Sequence, residues 1–234
     1  MPLPPPQTQP RASASASARQ LLLSRRGGVL TAATLLVGAG TAWAAARSGP
    51  DFRDVLEPVQ LVVSVFVPFF GVLAVTDLHR PGTSTPSRLA PRLLAAVGFA
   101  VGFALAGALL AAAATTWAGG GRPPGPRAAA LVTGAVLVQV IAQLTGTGWG
   151  LLIRRPGLAM AATIVVPMSA TALLTAIDPG GDLVRWLTPY GNARSLLAGA
   201  PTPRTLAALT VVVPLWCAVP NLLGSRRIHR RSPR

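Results

Sequence analysis

Three polar side chains, Gln139, Gln143 and Thr147, recur at intervals of four in a stretch without charge, 128–153. That spacing puts them on one face of a helix. Their chemistry is hydrogen bonding by neutral groups, with no acid, base or nucleophile among them. In hydrocarbon such side chains need partners, so the face must meet another helix or a wet pathway and not lipid. Two readings stand: interhelical packing, or the wall of a translocation path. Gly146 and Gly150 lie beside this face. Gly98 and Gly102, with Gly107 beyond them, form a similar series that alone is weak support for a dimer face.

Reactive groups are scarce. Cys217 is the single cysteine and falls in an apolar run, where an inert packing role is expected. His79 and His229 lie in different polar segments and are expected to be solvated. No Ser, Cys or His constellation suggests nucleophilic catalysis, and a chain without lysine has no P-loop. The chain is therefore expected not to be an enzyme, with no metal site and no cofactor of its own.

The elements that carry these residues follow from how charge is distributed. Of 234 residues 51% are hydrophobic and 12% charged. Arginines cut the chain into six apolar stretches: 28–46, 58–76, 93–117, 128–153, 157–177 and 206–224. None contains Arg, Asp, Glu or His. At about 1.5 Å of rise per residue, each is long enough to cross a hydrocarbon core of roughly 30 Å. The predicted fold is all-α: a polytopic membrane protein of six transmembrane helices occupying 19–224. Residues 1–18, rich in Pro and then in alternating Ala and Ser, read as a disordered tail, and 225–234 as a basic tail. Residues 19–26 suit either a short helix on the membrane surface or an extension of the first span.

The net charge of +15 invites a nucleic-acid reading. The arginines, however, sit at span ends, as expected for contact with a lipid bilayer and for orientation, and no nucleic-acid partner is predicted. Fourteen arginines fall on the side holding both termini and seven on the other, with five of the six acids on the poorer side. Both termini are thus predicted to be cytoplasmic. Cleavage of the first span as a signal, suggested by Arg25-Arg26 and Ala42-Trp43-Ala44, would leave five spans. Retaining it satisfies the charge count in every soluble segment. Mid-span Pro68, Pro167 and Pro214 are potential kinks.

The segment 178–204 is the longest connection on the poorer side. Leu183, Trp186 and Leu187 suit a short amphipathic helix. Pro189 and a Tyr190-Gly191-Asn192 turn are expected to break it, with a second short helix at 193–197. The spans lack the buried charges that ion-coupled carriers use, and no inverted repeat is visible.

Two stretches resemble the permease subunits of ABC-2 type transporters. One is Thr76-Asp77-Leu78-His79-Arg80-Pro81-Gly82-Thr83, followed by Pro86-Ser87-Arg88 and a long Ala/Gly/Leu helix. The other is Gly146-Thr147-Gly148-Trp149-Gly150-Leu151-Leu152-Ile153-Arg154-Arg155-Pro156, a span with a central proline, and then Trp186-Leu187-Thr188-Pro189-Tyr190-Gly191-Asn192-Ala193-Arg194-Ser195-Leu196. The similarity covers most of 74–224 and lies in order and spacing. It implies a bacterial ATP-binding cassette exporter in the plasma membrane, moving a small amphipathic compound, drug or peptide. It also implies a second permease subunit, identical or a sister, and a cytoplasmic ABC ATPase that binds the ATP and Mg. Asp77, Arg80, Thr83 and Arg88 would touch that ATPase. Arg154 and Arg155 would either join them or serve only as an orientation signal. Trp186, Tyr190, Asn192 and Arg194 would shape an external gate, or anchor the segment at the interface. The competing readings are a non-transporting membrane scaffold or assembly factor, and a channel or secondary carrier.

Overall fold

A computed structural model describes residues 24–49, 51–79, 89–121 and 125–230. The tail 1–18, most of 19–26, and Arg80, Thr83 and Arg88 lie outside these residues. The described residues are helical, with no strand among them. Six helices are long and apolar enough to cross a membrane: Arg25–Ser48, Phe52–His79, Leu89–Trp117, Gly125–Leu152, Pro156–Ile177 and Pro203–Ile228. The chain is thus multi-pass in character.

The first five spans are α1 (Arg25–Ser48), α2 (Phe52–Thr76, extended by a 3-10 turn to His79), α3 (Leu89–Trp117), α4 (Gly125–Leu152) and α5 (Pro156–Ile177). Two short helices follow, α6 (Asp182–Leu187) and α7 (Pro189–Leu197). The sixth span is α8 (Pro203–Val213), a π-helical segment (Pro214–Ala218) and α9 (Val219–His229). Most spans begin several residues before their apolar runs, because caps and first-turn polar residues continue the helix past the hydrophobic edge. The Ser24 hydroxyl accepts from Gly27 N–H at 3.1 Å to start α1, and the Thr202 hydroxyl accepts from Thr205 N–H to start α8. The far end of α9 runs into the predicted tail because Ile228 is buried against Leu78, Ala74 and Leu151. At the close of α3, Gly119 takes a left-handed φ of 78° and lets Gly120 N–H reach Thr115 O at 2.9 Å.

Each proline leaves a different mark. Pro68 and Pro167 lie inside continuous helices. Pro214 opens the π-helical segment, where the missing proline N–H widens the turn.

Helix α2 is the most buried span and α5 the least. Helices α2 and α4 form the most extensive pair. Close approach there is possible because three glycines meet backbone. Gly71 on α2 faces Gln143 O and Thr147 N, while Gly146 and Gly150 on α4 face Pro68 and Val72. Helix α4 is glycine-lined on its other sides too: Gly134 meets the Leu196 backbone of α7, and Gly148 meets Pro220 and Asn221 of the sixth span. It is the hub of the bundle. In contrast, Gly98 and Gly102 of α3 face open space in the protomer, and Gly107 packs against Gln60.

The spans alternate between two faces. One collects the ends marked by Arg25, Leu78, Arg92, Arg154 and Ile228, and the other those marked by Ala46, Phe52, Thr115 and Leu131. Among the described residues the first face carries eight arginines against one acid, Asp77. The second carries six arginines against five acids.

Candidate functional site

The polar face of α4 meets other helices of the same protomer. Gln139, Gln143 and Thr147 are fully buried. Gln139 Nε2 donates to both the backbone O and the Oε1 of Gln60 on α2, each at 2.9 Å. Gln60 Nε2 passes the link on to Ala104 O of α3 at 2.8 Å. One amide pair therefore ties three spans together. At the other end, the Thr147 hydroxyl stands 2.9 Å from both Leu144 O and Asn221 Oδ1. Asn221 Nδ2 donates to Leu144 O and Cys217 O at 2.7 Å each, joining the sixth span to α4 beside the π-helical segment.

Gln143, between these two linked groups, differs from both. Neither atom of its amide has a hydrogen-bond partner among the described residues, nor has Gln139 Oε1. Leaving such groups buried and unmatched costs about 1–3 kcal/mol each. Gln60 and Asn221 were not singled out from sequence. An isolated amide in an apolar run has no periodic partner within its own helix, and the signal available was only that a lone polar residue in hydrocarbon needs one.

Beside this seam lies a narrow cleft of about 50 Å3 between α2, α4, α5 and α7. Ser64, Pro68, Thr145, Thr163, Pro167 and Tyr190 contribute to its walls, with apolar side chains between them. Proline withholds the N–H that would bond the carbonyl four residues earlier. Pro68 and Pro167 therefore release the carbonyls of Ser64 and Thr163, two residues that line the cleft. The hydroxyls of Ser64, Thr145 and Thr163 each donate to a carbonyl of their own helix, leaving oxygen lone pairs to accept. The cleft is thus mainly apolar, with Ser64, Thr145 and Thr163 among its lining residues. At its rim, burial pushes the Tyr190 phenol above its ordinary pKa of 10.0, so it stays a neutral hydroxyl.

Helices α6 and α7 close one end of this region. The Thr188 hydroxyl accepts from Gly191 N–H at 3.3 Å and caps α7, while Pro189 occupies its first turn. The expected break at Pro189 and turn at 190–192 are corrected accordingly: the chain breaks at Thr188, and Tyr190, Gly191 and Asn192 are helical. The first turn is where a proline's missing N–H costs nothing. Asn192 is buried and its Nδ2 donates to Arg185 O at 2.5 Å, clamping α7 to α6. Trp216 of the sixth span donates from Nε1 to Leu187 O at 2.7 Å. Arg194 is exposed and its Nε lies 3.6 Å from Glu57 at the start of α2. Trp186 is half-buried. Of the four residues expected here, Tyr190 faces the cleft, Asn192 clamps the helix pair, and Arg194 makes an exposed ion pair of little energetic weight.

On the arginine-rich face Asp77, Arg154 and Arg155 are exposed. His79 departs from the solvated state expected of it. It is half-buried, with Nε2 2.9 Å from Gly150 O, and so joins the end of α2 to the end of α4. A helix C-terminus leaves carbonyls unmatched, and an imidazole one turn past a neighbouring helix can donate to one of them. Nearby, Arg92 Nη1 donates to Ala74 O at 3.1 Å. No group of three or more His, Cys, Asp or Glu suited to a metal ion occurs among the described residues. Cys217 is buried near Thr145 and Ile141.

Comparison with protein-family models finds no match, and comparison with curated proteins finds none either.

Proposed function

We propose that this chain is a permease subunit of an ATP-binding cassette exporter of the ABC-2 type. It sits in the plasma membrane with both termini cytoplasmic, and moves a small amphipathic compound, drug or peptide. The observation that carries this reading is the cleft beneath Tyr190. At about 50 Å3 the cleft is closed to such a cargo, and its mainly apolar walls with a few hydroxyls would suit a mostly apolar molecule once α2 and α5 part. The two prolines that release the Ser64 and Thr163 carbonyls also loosen α2 and α5, which a path that opens and closes requires. No charged residue lies within the apolar core of the spans to couple cargo to an ion gradient. The driving energy in this reading comes from a separate ATPase bound at the arginine-rich face near Asp77, Arg154 and Arg155, with a second permease copy or sister completing the path.

The test is export in cells together with ATPase capture. Ala142→Phe, which fills the cleft from α4, is expected to abolish efflux of the cargo while the chain still recruits its ATPase in detergent. Undiminished efflux in that variant, or failure to recruit an ATPase at all, would overturn the reading.

A non-transporting scaffold is the second reading, and one observation favours it. Both donors of the Gln139 amide are satisfied inside the protomer, so this part of the α4 face acts in packing.

A further inference from the structure

A second cavity opens on the outside of the bundle, between α1, α2 and α5, at the arginine-rich face. It holds about 640 Å3 and is walled by apolar residues, among them Leu30, Ala33, Phe69, Leu73 and Met160. Arg25 and Arg26 stand at its head. Two features of these arginines call for an anion. Both lie in the first turn of α1, where the helix dipole opposes a positive charge, and that turn holds no acid. Neither makes an ion pair with a described residue. No acid is among the described residues that line the cavity.

The dimensions suit one class of occupant. From Arg25 to Ala33 the groove follows α1 for eight residues, about 12 Å at 1.5 Å each. That is close to the depth of one leaflet, about half of a 30 Å hydrocarbon core. A helix of a second copy would instead use the full length of a span. The wall also suits acyl chains: Gly157 has no neighbour within 4 Å of where a side chain would begin, so α5 leaves the groove wide at its head.

We propose that this groove binds an anionic phospholipid from the leaflet at the arginine-rich face, with its phosphate on Arg25 and Arg26 and an acyl chain along Leu30, Ala33 and Leu73. The site is separate from the cleft beneath Tyr190 and does not depend on transport.

The experiment is native mass spectrometry of the full chain released from nanodiscs of phosphatidylglycerol and phosphatidylcholine in equal parts. Retained phosphatidylglycerol, in excess over phosphatidylcholine, is expected on the unaltered chain. The double variant Arg25→Gln/Arg26→Gln should lose that retention roughly 30-fold, the equivalent of about 1 kcal/mol per arginine. Both positions are exposed, so the variant is expected to keep its fold, checked by helical circular dichroism. Ala33→Trp, which narrows the groove without touching charge, should also lower retention of phosphatidylglycerol. Equal retention of the two lipids, or no change in the double variant, would overturn the proposal. So would a dimer that retains no lipid and is dispersed by Ala33→Trp, because the groove would then be a contact between copies.

Discussion

Replacing Gly146 with alanine sets two effects of opposite sign against each other. Alanine favours a helix over glycine by about 1 kcal/mol. Against that, a Cβ at 146 would meet the carbonyl oxygen of Pro68 first and stand 2.7 Å from that residue's carbonyl carbon and Cα, where ordinary contact begins at 3.4 Å. The obstacle is backbone, which cannot rotate aside as a side-chain tip can. The carbon contacts alone need the 0.7 Å that separates 2.7 Å from 3.4 Å, and the nearer oxygen needs more, so helices α2 and α4 must part by more than 0.7 Å. A gap of that size forfeits a quarter to a half of each contact's dispersion energy, and overpacking of this kind costs roughly 1–3 kcal/mol. The crossing also holds Gly71 and Gly150, so the loss spreads along it. Gly98→Ala supplies the control: nothing stands within 4 Å of its added Cβ, so only the propensity gain remains. The assay is reversible unfolding in mixed micelles of increasing SDS fraction, read by helical circular dichroism. Gly146→Ala is expected to be less stable than the unaltered chain by about 1–3 kcal/mol even after its propensity gain. Gly98→Ala is expected to be equal to it, or more stable by up to about 1 kcal/mol. If Gly146→Ala unfolds together with Gly98→Ala, at or above the unaltered chain, the close α2–α4 crossing is refuted.

Three further outcomes follow from the same geometry. Gln60→Leu and Gln139→Leu should be non-additive, with a coupling of about 0.6–1.7 kcal/mol in a double-mutant cycle, and additivity within roughly 0.3 kcal/mol would contradict their hydrogen bond. Trp216→Phe keeps an aromatic ring, though a smaller one, and removes the donor to Leu187 O; it should raise amide hydrogen exchange across 182–197 while leaving α2–α4 protection unchanged. Asp178 accepts from Leu183 N–H at 2.8 Å and from Gly180 N–H at 3.1 Å, and the Leu183 bond foremost holds its carboxyl below the ordinary 3.8. An acid with a depressed native pKa stabilises the fold above its ordinary value, and that contribution disappears as pH falls through the lowered one. The Gly180 and Leu183 amide NMR signals should therefore shift together with a common midpoint below pH 3.8, and Asp178→Asn should abolish that titration.

The spans could be read from composition because the requirement is local. A helix satisfies its own backbone, so a long apolar run between arginines suffices to define it. The helix pair α6–α7 was half legible. Leu183, Trp186 and Leu187 announce the first helix, but Pro189 suggests a break where Thr188 makes it a helix start. Capping decided the matter, and a cap is visible only once the hydroxyl is known to reach the N–H.

The polar face of α4 shows the same division. Spacing alone placed Gln139, Gln143 and Thr147 on one side of one helix and required that they find partners. Which partners they found depended on how α2, α3 and the sixth span fell around α4. Gln60 and Asn221 carry no periodic signal of their own, and His79 meets Gly150 across 71 residues of chain. That this protein is a set of apolar helices punctuated by arginine was legible in the chain alone, because it follows from each segment's own transfer out of water. Which amides are satisfied, how Ser64 and Thr163 come to line one cleft, and which arginines head an apolar groove were set by packing. Those outcomes depend on distances between residues far apart in the chain, set by where glycines let helix backbones touch.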